Sequence, residues 1–87
     1  MYAIVVDYHM WNEEEQKEFT KPMYLGMMYP PINIYVFDEE FNSRSYRWSN
    51  KEEAKEYFVK HEFGKQACCY ENARIEEVEI HQVVNKI

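Results

Sequence analysis

Apolar and polar residues alternate along YAIVVDYHM, residues 2–10. Tyr2, Ile4, Val6, Tyr8 and Met10 fall on one side, and Ala3, Val5, Asp7 and His9 on the other. Successive side chains of an extended chain point to opposite faces, so this period predicts a strand with one apolar and one mixed face. Residues 12–19, NEEEQKEF, break the alternation. Asn12 followed three residues later by Glu15 has the form of a capping box, and acidic residues suit the first turn of a helix. A short helix is expected there, with a thin apolar face made of Phe19 and Trp11. KPMYLGMMYPP, residues 21–31, has neither period and is read as a loop, closed by Pro30-Pro31.

INIYVFD, residues 32–38, alternates again, with Ile32, Ile34 and Val36 on one face and Asn33, Tyr35 and Phe37 on the other. RSYRWS, residues 44–49, follows as a shorter strand, and the two are expected to form a hairpin. Residues 50–63 give the clearest helix. Ala54, Tyr57, Phe58 and His61 recur at helical spacing, Ser49 with Glu52 makes a capping box, and Gly64 is placed to end it. KQACCYEN, residues 65–72, has no clear period, and ARIEEVEIHQVV, residues 73–84, is read as the last strand. The fold class expected is α+β, a single domain over residues 1–87: a small antiparallel sheet packed by one or two helices. The element order is the ferredoxin-like βαββαβ, which would set the strands in the order 4-1-3-2 with both helices on one face. If residues 11–31 are only a loop, an antiparallel sheet with one packed helix fits the same pattern.

Charge narrows the partner class. The 87 residues carry a net charge of −6 and a pI near 5.0. That balance disfavours direct nucleic-acid binding, which relies on Lys and Arg displacing counterions. It suits a larger, basic protein partner, a cation, or simple solubility, which is the commonest use of such a balance. The two cysteines, Cys68 and Cys69, are adjacent, a spacing that does not make a disulfide framework and points to a reducing cytosol. No basic-then-apolar leader opens the chain and no apolar run approaches bilayer length. A cytoplasmic location, of a cell or of a phage-infected host, is expected, with no membrane association.

Four groups of residues carry candidate chemistry. The first is a soft apolar ridge of Tyr24, Leu25, Met27, Met28 and Tyr29, since Met adapts to irregular surfaces and Tyr gives large contact area at low entropic cost. The ridge is expected to stay exposed in part until a partner or a second copy, giving a homodimer, covers it. The alternative use of the same side chains is to close one end of the core. The second group is acidic: Glu13, Glu14 and Glu15 with Glu18, then Asp38, Glu39 and Glu40, then Glu76, Glu77 and Glu79. Carboxylates spread along a surface can occupy a basic channel, and the same residues serve solvation.

The third group depends on strand register. If the first and last strands are neighbours, Asp7, His9, Glu77, Glu79 and His81 could converge, and Asp7, His9, Glu79 and His81 would make a metal site or an acid/base pair. A slip of one residue would scatter them. The fourth is His61 with Cys68 and Cys69, which lacks the ligand spacing of structural zinc sites and suits a buried thiol pair. Glycine-rich phosphate loops, nucleophile elbows and HExxH are absent from the sequence, so an enzyme is the less favoured class and no cofactor is expected.

The opening MYAIVVDYHM resembles the first strand of the small CRISPR-associated spacer-acquisition subunit, but Glu13, Glu14, Glu15 and Glu18 stand where that family has a basic helix, and the family is set aside. Tyr46 and Trp48 on a sheet would suit an RNA-recognition-type surface or a stacked nucleotide. The basic-glycine-aromatic signature of that type is missing. In size and acidity the chain resembles small phage-encoded inhibitors such as anti-CRISPR proteins. The function expected is therefore a non-enzymatic protein-binding module, an inhibitor docking on a larger protein through the Met/Tyr stretch and the acidic residues. The alternatives are a metal-assisted hydrolase or nuclease, and a nucleotide or small-ligand binder.

Overall fold

The structure, a computed structural model, describes residues 1–26, 36–65, 67 and 69–79. Five elements are found among them: β1 (Tyr2–Asn12), β2 (Lys17–Gly26), β3 (Val36–Asp38), α1 (Lys51–Lys60) and β4 (Tyr70–Glu77). The strands form one antiparallel sheet in the order β3-β2-β1-β4. An α+β class and the pairing of the first strand with the last agree with the expectation. The ferredoxin-like order does not: one helix is found among the described residues, and β1 lies between β4 and β2.

The departure begins at residue 12. Residues 12–19 do not make a helix. Asn12 Oδ1 accepts the Glu15 N–H at 3.1 Å, the contact a cap would make, but the chain then reverses. Glu13–Gln16 form a four-residue turn, Gln16 takes φ 54, and Lys17 returns opposite Asn12. The reason lies in burial. A helix here would have had only Phe19 and Trp11 to bury, too little to offset the cost of nucleation. As a strand, residues 17–26 alternate so that Met23 and Leu25 enter the core at 7% and 0% exposure. Residues 21–26, expected as loop, are therefore β2. Pro22 is tolerated because β3 reaches β2 only at Tyr24–Gly26, so one edge of β2 at Pro22 has no described strand beside it.

The core lies between the sheet and α1. Ile4, Leu25 and Phe63 are its buried centre, ringed by Phe37, Tyr46, Trp48, Tyr57, Phe58, Tyr70, Ala73 and Ile75. Burial of each large side chain contributes about 1.5–3 kcal/mol. Ala3, Ile4, Val5 and Val6 are all at 0–1% exposure, so the start of β1 is buried on both faces. Residues 44–49 are not a strand. They contribute two isolated bridges, Ser45 to Gly26 and Trp48 to Tyr2. Tyr46 and Trp48 instead stack on each other, ring centroids 6.0 Å apart, and both meet Tyr57 of α1. Of the strand expected over 32–38, Val36–Asp38 is described. The last strand starts at Tyr70, earlier than expected.

Both helix ends differ from the sequence pattern by a residue or two. Asn50, not Ser49, is the N-cap, and its side chain accepts the Glu52 N–H at 2.7 Å. At the other end Phe63 N–H donates to Phe58 O and Glu62 N–H to Val59 O, both at 3.1 Å, the paired bonds of a Schellman motif. Its left-handed residue is Glu62, φ 58, rather than Gly64. The motif turns Phe63 back against Phe58 at 6.0 Å and seats it in the core. Burial of Phe63 thus holds a glutamate in a conformation that a glycine adopts without strain. Glu62→Gly should raise the unfolding free energy by about 0.5–1 kcal/mol, read as a higher urea midpoint with an unchanged slope. The exposed Glu62–Lys65 ion pair that it removes is worth little.

Candidate functional site

Two surfaces gather the candidate residues. The first is the far end of the β1–β2 hairpin. β4 pairs with β1 as far as Tyr8 opposite Tyr70, with one further bond from His9 N–H to Cys69 O. Beyond it the pairs His9–Thr20, Met10–Phe19, Trp11–Glu18 and Asn12–Lys17 continue as a two-stranded ribbon with no described strand on either edge. Four residues at ~3.3 Å each carry this arm about 13 Å past β4, plus the turn.

The arm carries one exposed aromatic side chain on each face. Trp11 is 58% exposed and Phe19 39%, on opposite faces of the ribbon. Glu13, Glu14 and Glu15 form its tip, all exposed. Glu15 pairs with Lys17 at 3.1 Å, and Glu18 with His9 Nδ1 at 2.8 Å. Glu13 and Glu14 make no ion pair among the described residues. The second acidic group sits nearer the base of the arm: Asp38 ends β3 opposite Tyr24, Glu39 pairs with Lys21 at 2.9 Å, and Glu40 is exposed. One oxygen of Asp38, Oδ2, is buried with no hydrogen-bond partner among the described residues. A Cβ on Gly26 would stand 3.2 Å from it and 3.3 Å from the Val36 carbonyl oxygen, closer than ordinary contact.

The expected apolar ridge divides. Leu25 is wholly buried and contacts the core, so it faces no partner; strand alternation turns it inward. Tyr24 is half-buried and meets Phe41 edge-on at 5.7 Å. Met27, Met28 and Tyr29 lie outside the described residues. Trp11 and Phe19, assigned on the sequence to the thin face of a helix, are instead the exposed aromatics of the arm. Counting the alternation of Phe19, Met23 and Leu25 would have signalled this.

The second surface is the sheet face opposite α1, where Asp7 and His9 do lie. The other expected ligands do not join them. Glu77 is opposite Tyr2, at the far end of β1, Glu79 follows it beyond the strand, and His81 is outside the described residues. No group of three metal-ligating side chains occurs among the described residues. Register is the cause: β4 runs antiparallel, so its C-terminal glutamates approach residue 2 and not residue 9.

Asp7 has different neighbours. Val5 faces Arg74 but Asp7 faces Glu71, so β4 holds one extra residue over that interval, a bulge in which Asn72 takes φ 52. The bulge aims two donors at one carboxylate. Asn72 Nδ2 reaches Asp7 Oδ2 at 3.0 Å and Arg74 Nη1 reaches Oδ1 at 2.9 Å. Arg74 also bonds the Asn72 carbonyl at 2.9 Å and Glu76 at 3.1 Å. The hydrogen bond from Asn72, then that from Arg74, holds the Asp7 carboxyl below the usual carboxylate range, against an opposing effect of burial. Both oxygens are engaged, so this carboxylate fastens β4 to β1.

The remaining candidates are placed as follows. Cys69 is exposed, which does not fit a buried thiol pair, and Cys68 lies outside the described residues. His61 stacks on Tyr57 at 4.1 Å. Tyr46 and Trp48, proposed for base stacking, have ring faces turned on each other and on Tyr57. No helix among the described residues is long and apolar enough to cross a membrane. No family model, curated protein or solved structure matches this chain.

Two outcomes follow. Leu25→Ala should destabilise the fold by about 2–5 kcal/mol, measured by denaturant unfolding, as a core residue does and a docking residue does not. Asp7→Ala should cost about 1 kcal/mol at neutral pH. The folded carboxyl titrates below the unfolded one, so its contribution is full above the unfolded value and is lost as pH falls through the folded value. The gap between Asp7→Ala and the parent protein should therefore close in acid, as followed by urea midpoints across pH.

Proposed function

We propose that this chain is a non-enzymatic protein-binding module that presents its β1–β2 arm to a larger, basic protein. The observation that carries this reading is the exposure of Trp11 and Phe19 on a ribbon that projects past the rest of the sheet. An isolated two-stranded ribbon is marginal in water, and exposed aromatics on one gain most by burial against another surface. Four carboxylates, Glu13, Glu14, Glu15 and Glu18, against the single Lys17 give the segment from Trp11 to Thr20 a net charge of −3 (−4 + 1). An apolar cleft with Lys or Arg at its mouth complements both features. Pro22 and Lys21 on the outer part of β2 discourage strand addition there, so the contact is made by side chains rather than by extending the sheet.

The same features support the inhibitor reading. A small acidic module of the anti-CRISPR-like, phage-encoded type would act in the cytoplasm by occupying a basic cleft on its target. A catalytic reading has less behind it, because Asp7 is engaged by Asn72 and Arg74 and His9 by Glu18.

The test is an affinity comparison. A partner captured from the native host and then purified should bind the parent chain and lose about tenfold or more in affinity with Trp11→Ala or Phe19→Ala, by calorimetry. Added salt should weaken the parent complex further, through screening of the arm's carboxylates. Full affinity retained by the double variant would end this reading.

A further inference from the structure

A single ion pair joins the side chains of the arm's two strands among the described residues: His9 Nδ1 lies 2.8 Å from Glu18 Oε1. Register produces it. His9 is opposite Thr20 and Trp11 is opposite Glu18, so these four side chains share one face of the ribbon and His9 meets Glu18 on the diagonal. An imidazole is the side chain whose charge ordinarily changes between about pH 5 and 8. With both nitrogens protonated, His9 holds Glu18 by a charge-assisted bond. With one proton lost, the contact survives only in the Nδ1–H tautomer and without the attraction of opposite charges.

The other groups around His9 do not replace Glu18. On its own strand, Asp7 is engaged by Asn72 and Arg74. From β4, Glu71 stands opposite Asp7, Arg74 is bound to Asp7 and Glu76, and Cys69 meets His9 through its carbonyl, which accepts the His9 N–H at 3.0 Å. From β2, Thr20 and Pro22 on this face carry no charge, while Lys17 and Lys21 alternate to the other face. The helix packs on that other face as well, against Ile4 and Leu25.

An exposed ion pair shifts an equilibrium by about two- to fivefold. Against the unfolding of a whole domain, whose constant is about 10³ or more, such a factor is lost. The arm is a different case. Beyond Tyr8 it is a two-stranded ribbon with no described strand on either edge, and a ribbon of that kind stands near balance between ordered and open forms. The factor is then as large as the equilibrium it acts on.

We propose that His9 and Glu18 form a pH-sensitive clasp: protonation of His9 orders the arm in mild acid, and loss of that proton loosens the arm above neutrality while the sheet beneath stays folded. The sign follows from the charges. The pair is complete below the histidine range and fades as pH rises through it. Trp11 and Phe19 keep their places on opposite faces only in the ordered ribbon, so the clasp sets how the arm is presented. That consequence rests on the arm being the docking element proposed above; the clasp itself does not.

NMR on the chain alone tests it. His9 turns its N–H to Cys69, so Trp11 and Glu18, two residues further along the ladder, face each other as a non-hydrogen-bonded pair with their Hα atoms close. Their Hα–Hα cross-peak, with backbone shifts of residues 9–12 and 17–20, gives the ratio of ordered to open arm between about pH 5.5 and about pH 7.5. In low salt the ratio should be about two- to fivefold higher at the acid end, with the shifts of residues 3–6 constant. Glu18→Gln, which keeps an acceptor and removes the charge, should flatten the profile, and so should His9→Gln. A ratio in the parent chain that does not change with pH overturns the proposal, as does a change that persists in Glu18→Gln. A flat profile with partner binding still sensitive to Trp11→Ala removes the clasp and leaves the docking. A pH-dependent arm whose Trp11→Ala variant binds the partner fully removes the docking and leaves the clasp.

Discussion

Register between β1 and β2 is the constraint on which the rest of the molecule hangs. With Val5 opposite Tyr24 and Val6 opposite Met23, Leu25 is carried to the side of Ile4 and the core closes over Phe63. The same ladder, followed outward, sets Trp11 beside Glu18 and Phe19 beside Met10. A slip of one residue would turn Leu25 and Met23 to the opposite face and exchange the sides on which Phe19 and Lys21 project. Core and arm are therefore one choice of pairing, settled at the buried end and displayed at the exposed end.

The bulge in β4 solves a local problem that this ladder creates. β1 is buried on both faces as far as Val6, and then carries a charged residue, Asp7. The extra residue at Asn72 brings an amide and a guanidinium to the two carboxylate oxygens. A carboxylate at the margin of a buried strand is thereby satisfied and made to hold two strands together. What resembled a metal ligand in the linear sequence is an anchor in the folded chain.

Past that anchor the burial that stabilises the strands ends, while their pairing does not. The resulting ribbon keeps aromatic side chains exposed and collects carboxylates at its tip, features that add little to the stability of an isolated chain. The exposed valine at the end of α1, Val59, is of the same kind. Both stand outside the core cluster.

The period-2 pattern of residues 2–10, the helical stripe of Ala54, Tyr57 and Phe58, and the acidity were legible along the chain, and the first two of these led to the α+β class. These depend on local spacing and on composition, which act on any conformation the chain adopts. Other features were legible only in the folded molecule. The Asn12–Glu15 contact serves a helix cap or a hairpin turn equally well, and only the burial gained by Met23 and Leu25 selects the hairpin. Glu62 takes the left-handed position because Phe63 is needed in the core, which overrides the preference for a glycine two residues later. The scattering of Glu77 and Glu79 away from Asp7 follows from antiparallel register. Each of these is decided by contacts between residues far apart in the chain, and a local pattern carries no information about such contacts until the chain has folded.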